Sequence, residues 1–184
     1  MTPEEAYFHM ILLRTGHTDV YDDWLNTYLE KEDPLSDIVL SLSFCDTLDK
    51  TIDCLYDYTI DKKLNMQIVA DHFRLYVKER YENGSMMAGD CIAAFYSFLP
   101  DDENRHEKPW SFWESLSDCY WYACSSVDDM NMPLPGSLEK ALAIYLEMGK
   151  ITELDCIHYL NFSQDTESKE TFFQKIIRVF FKRK

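Results

Sequence analysis

Helix start and stop signals punctuate this chain at almost every junction, and runs of alternating β-branched residues joined by tight Asn-Gly or Asp-Gly turns are missing. The opening Thr2-Pro3-Glu4-Glu5 is a helix start, with Thr as N-cap, Pro in the first turn and two acids facing the positive end of the dipole. Gly16 ends that helix. Thr18 is expected to cap the next, in which Val20, Trp24, Leu25 and Tyr28 keep helical spacing as far as Glu30. Asp33-Pro34 reads as a further cap and proline, restarting a helix whose apolar stripe is Leu35, Ile38, Val39 and Leu42.

The pattern continues. Thr47 begins a segment with Leu48, Ile52, Leu55, Tyr56 and Tyr58. Asn65 caps the clearest long helix, running to Glu82, with Ile68, Val69, Phe73, Tyr76, Val77 and Tyr81 assigned to one face and Asn83-Gly84 closing it. Ser85 is expected to cap a helix through Ile92, Phe95 and Phe98, stopped by Pro100. After the polar stretch 101–108, Pro109 opens a helix dense in aromatics (Trp110, Phe112, Trp113, Tyr120, Trp121, Tyr122), expected to lie centrally with neighbours all round. Ser137 caps a helix ending at Gly149, a short helix spans 152–160, and a last one spans 166–181. The fold class expected is all-α: a single domain, 1–184, of about nine or ten helices in an irregular array of successive antiparallel hairpins. No fixed-period repeat organises them.

Hydrophobic residues make up 46% of the chain and aromatics 15%, ample apolar area for a packed core. The longest apolar runs, such as Met10 to Leu13, fall far short of the ~20 residues of a membrane span. The acidic N-terminus is unlike a secretory signal, so a cytoplasmic location is expected. Six cysteines are scattered without CxxC or Cys/His spacing, as reduced, buried thiols would be.

Charge is the strongest compositional signal. The formal net charge is −15, unevenly spread: residues 165–184 hold six basic side chains against three acidic ones, so the first 164 carry −18. A field of that sign repels nucleic acid and anionic membranes and raises the encounter rate with a basic protein, although acidity also serves plain solubility. The tail, with Lys175, Arg178 and Lys182 on one side and Phe172, Phe173, Ile176, Ile177, Val179, Phe180 and Phe181 apolar, is expected to form a basic amphipathic helix packed on the acidic body.

Catalytic chemistry finds no foothold in the motifs. No GxSxG elbow, GxGxxG or GxxxxGK[ST] loop occurs, and the Glu5/His9 pair and Asp155-Cys156-Ile157-His158 lack the second copies of a di-metal bundle. No catalytic residue, metal or cofactor is therefore assigned. Surface recognition remains, with Asp19, Asp22, Asp23 and Trp24, then Glu30, Glu32 and Asp33, then Asp101, Asp102 and Glu103, and finally Asp128 and Asp129 as candidate partner-binding residues. Carboxylates steer a basic partner, and an aromatic anchor supplies the buried contact.

The stretch Trp24-Leu25, Asp33-Pro34-Leu35 and Leu40-Ser41-Leu42-Ser43, on an acidic, aromatic-rich helical chain, resembles the small all-helical immunity proteins of bacterial contact-dependent and polymorphic toxin systems. That resemblance implies tight binding to a cognate basic toxin domain and no enzymatic activity. Two other readings stay open: a helical adaptor or scaffold subunit of a bacterial assembly, and an enzyme whose site gathers distant residues such as His72 or His158.

Overall fold

The computed structural model describes residues 1–100, 110–124 and 135–149. Within them every regular element is an α-helix: α1 (Pro3–Arg14), α2 (Tyr21–Lys31), α3 (Asp37–Ser43), α4 (Leu48–Thr59), α5 (Met66–Glu82), α6 (Ala88–Ser97), α7 (Trp110–Cys124) and α8 (Pro135–Met148). None of these is long and apolar enough to cross a membrane. The helices expected at 152–160 and 166–181, and with them the basic tail, lie outside the described residues.

Local cap chemistry accounts for several boundaries. Thr2 and Glu5 form a reciprocal capping box on α1, the Glu5 amide donating to Thr2 Oγ1 at 3.2 Å and the Thr2 amide donating to Glu5 Oε2 at 2.8 Å. Thr47 caps α4 and Asn65 caps α5, as their side chains promised. Gly84 and Gly149, at φ of 77° and 63°, adopt the left-handed conformation that ends a helix.

Other boundaries differ from expectation, and competing hydrogen bonds explain most of them. Thr18 is not a side-chain cap: α2 starts behind Val20, and a backbone bond from the Tyr21 amide to the Thr18 carbonyl makes the turn. Asp33-Pro34, a cis peptide, precedes α3 rather than opening it; Ser36 is the cap residue, and Glu32 Oε2 accepts from both its amide and its hydroxyl. Ser85 donates its amide and hydroxyl to Asn83, so α6 begins after Met87, whose amide donates to Asp90. Ser137 lies inside the first turn of α8, which starts at Pro135, a residue whose missing N–H costs nothing there.

Two clusters of buried side chains share α1. Its Phe8 and Leu12 belong with Val69, Phe73, Phe95, Trp113 and Leu142 of α5 to α8, whereas its Ala6, Met10 and Leu13 belong with Leu25, Val39, Leu42 and Leu55 of α2 to α4. A helix apolar on two sides must sit between two layers, and α1 packs most extensively on α4 and then on α5. The aromatic α7, by contrast, is not covered all round. Trp110, Phe112, Trp113 and Leu116 are buried against α6 and α8, but Trp121 is 71% exposed. Ile68 likewise leaves the apolar face of α5 and is 44% exposed, because a one-residue step turns it about 100° from Val69.

Candidate functional site

A pocket of about 400 Å³ opens where the start of α1 meets α2, lined by Glu5, Trp24, Thr27, Tyr28, Lys31 and Glu32. Helical spacing puts Trp24 and Tyr28 on adjoining turns, and their rings stand nearly perpendicular, 76° with centroids 5.8 Å apart. Trp24 is backed by His9, whose ring lies 3.8 Å away at 19°, and Tyr21 adjoins the pair. Glu5 is anchored from three donors, and all three fall on Oε2: the Thr2 amide, the Thr2 hydroxyl at 3.0 Å and the Tyr28 hydroxyl at 2.7 Å. Glu32 Oε1 lies 3.4 Å from the Met1 amine, while its Oε2 holds Ser36.

Both carboxylates are held in the charged form. Burial pushes the Glu5 carboxyl up, but hydrogen bonds from the Thr2 amide, Tyr28 and the Thr2 hydroxyl outweigh it and the net shift is downward. For Glu32 the two Ser36 bonds lower the carboxyl. His9 behaves oppositely to a surface histidine: burial, with a smaller contribution from neighbouring His72, pushes it down to about 3, and Glu5 only partly offsets this. The Glu5/His9 spacing is thus no surface ion pair. His9 is buried and neutral, its Nδ1 has no partner among the described residues, and the same is true of Trp24 Nε1.

Among the sequence candidates, Trp24 and Glu32 come together in this pocket. Asp22 and Asp23 are exposed in the first turn of α2, where the helix dipole favours acids, and Glu30 and Asp33 are exposed near its other end. Asp19 goes elsewhere: it pairs with Arg80, whose guanidinium covers the Tyr76 ring at 3.6 Å, joining the α1–α2 turn to α5. Asp101, Asp102, Glu103, Asp128 and Asp129 lie outside the described residues. His72 stacks on Phe8 at 5.4 Å, and His158 lies outside the described residues.

A second surface escaped sequence reading because its acids are not contiguous. Asp49, Asp53 and Asp57 recur every four residues along α4, all exposed, and no ion pair engages any of them among the described residues. Tyr56 and Ile60, 40% and 56% exposed, lie on the same helical face. At the corner between α3 and α4, Leu40, Phe44 and Leu48 are also exposed, Phe44 by 77%. Asp46 beside them is paired with Lys50 at 2.6 Å, and Arg14 flanks Tyr56 with its guanidinium 5.4 Å from the ring. The i, i+4 recurrence was present in the sequence; the exposure of its apolar companions was not.

Among the described residues no group of three or more His, Cys, Asp or Glu side chains is arranged to hold a metal ion. The chain matches no known family model, no curated protein and no solved structure.

Proposed function

We propose that this chain is a protein-binding inhibitor of the immunity type, neutralising a cognate basic toxin domain by direct contact. The observation that carries the reading is the exposed face of α4. Three carboxylates at four-residue spacing repel one another and weaken an isolated helix by about 0.2–0.5 kcal/mol per pair. The helix dipole accounts for Asp49 in the first turn of α4, but not for Asp53 and Asp57 further along it. Their placement on the face that also exposes Tyr56 and Ile60 fits an interface that combines apolar contact with charged steering groups. The acidic end of α2 and the Trp24 pocket extend the same chemistry to a second face.

Such a complex forms fast at low salt and dissociates at a rate set by the apolar contacts. The test is to express the chain with a basic toxin domain encoded beside its gene and to measure survival and complex formation. Protection is expected, and Asp53→Lys with Asp57→Lys should reduce it while circular dichroism stays unchanged. A chain that gives no protection and captures no basic toxin domain is not an immunity protein. Capture of several housekeeping subunits instead would favour an adaptor.

A further inference from the structure

The pocket between α1 and α2 gathers two ionised carboxylates and two aromatic walls meeting at a steep angle. Perpendicular aromatic rings beside a carboxylate are suited to an organic cation, which gains from the ring faces and the negative charge together. One side of the Trp24 ring is taken by His9. Were that imidazole protonated, a positive charge 3.8 Å behind the indole would oppose any cation in front of it. Burial keeps it neutral, so the wall stays attractive. On the carboxylate side, Glu5 uses a single oxygen for all three of its internal bonds.

We infer that this pocket is a receptor for a guanidinium group, the side chain of an arginine presented by the basic partner. A guanidinium is flat enough to stack on an indole and presents a fork of donors to a carboxylate, which a compact, strongly hydrated ammonium does not. A volume of about 400 Å³ admits an arginine side chain. Lys31 also lines the pocket, exposed and in no ion pair among the described residues; it is the cation that an incoming arginine displaces. The biological source of the arginine rests on the proposed function, whereas the pocket's chemistry does not.

The probe is ethylguanidinium, titrated into the intact chain while the Trp24 indole N–H resonance, assigned by its loss in Trp24→Phe, is followed by NMR. A saturable shift is expected, weakened about tenfold by Glu5→Gln, which keeps the capping geometry, and strengthened several-fold by Lys31→Met. Butylammonium should bind less tightly than ethylguanidinium. Equal binding of the two, a non-saturating shift, or indifference to Glu5→Gln overturns the inference. Asp118→Asn, exposed on α7 and away from the pocket, should leave the titration unchanged. If ethylguanidinium fails to bind yet Asp53→Lys with Asp57→Lys still reduces protection, the pocket assignment falls and the inhibitor reading stands. Binding without protection by the chain separates them the other way.

Discussion

The imidazole of His9 lies flat on the indole of Trp24, centroids 3.8 Å apart and planes 19° from parallel, a contact that joins α2 to α1. Burial lowers His9 to about 3, against an ordinary value of 6.5. Between those values the unfolded chain binds a proton that the folded chain refuses. Stability is therefore complete above pH 6.5 and lost as the pH falls.

The loss amounts to on the order of 2–3 kcal/mol between about pH 7 and about pH 4.5, measured by urea unfolding. His9→Phe keeps a flat ring against Trp24 and removes the titrating group, so its acid sensitivity should shrink by that amount. The remainder includes His17, which burial also lowers. An unchanged pH slope in the variant would show that His9 is not the source.

Replacing one acid on α4 should separate stability from recognition. Asp53→Asn relieves repulsion with both Asp49 and Asp57, raising stability by roughly 0.2–0.5 kcal/mol per relieved pair. Association with a basic partner should slow, most visibly at low salt, while dissociation changes little. Stopped-flow binding beside chemical denaturation reads both effects.

Trp113 Nε1 donates to Tyr145 Oη at 2.9 Å, a buried link between α7 and α8. Tyr145→Phe leaves that N–H without its acceptor and should cost about 1–3 kcal/mol. Trp113→Phe combined with Tyr145→Phe removes both polar atoms, so a double-mutant cycle should give a coupling of opposite sign to the single losses. Additive effects would show that the bond contributes nothing.

Gly149 ends α8 at φ 63°, and a Cβ there would come within 2.8 Å of Arg74 Nε. Arg74 Nη1 donates at 2.6 Å to the Leu146 carbonyl, satisfying an acceptor at that helix end from α5. Gly149→Ala thus meets a strained backbone conformation and a displaced guanidinium together. A loss of about 1–2 kcal/mol is expected, with Arg74→Ala lowering stability by less.

Thiol reactivity should follow burial. Cys91 is fully buried and its thiol is pushed up to about 11, as is that of Cys54, in both cases mainly by burial. Cys124 is exposed. Among the cysteines of the described residues, alkylation mapped by mass spectrometry should label Cys124 first and Cys91 only on unfolding.

Where one residue supplies both the signal and the partner, the chain announces its structure. Thr2 with Glu5, Thr47 and Asn65 cap helices within three residues of themselves, and Gly84 and Gly149 end them through their own backbone freedom. Thr18, Ser85 and Asp33-Pro34 carried the same residue types and failed, because the adjacent backbone or side chain supplied a different bond. Residue type names a capacity; the neighbours decide its use.

The site divides in the same way. Acidity, the absence of motif chemistry and the four-residue recurrence of Asp49, Asp53 and Asp57 belong to the sequence alone, since charge and helical period are one-dimensional properties. Only the tertiary structure decided that, among the described residues, α1 and not the aromatic α7 lies between two layers, and that Glu5 meets Tyr28 across 23 residues of chain. It also placed His9 behind Trp24 as a neutral ring and sent Asp19 to Arg80. Those pairings depend on which helix faces cover one another, and a periodicity that is apolar on several sides leaves that choice to packing.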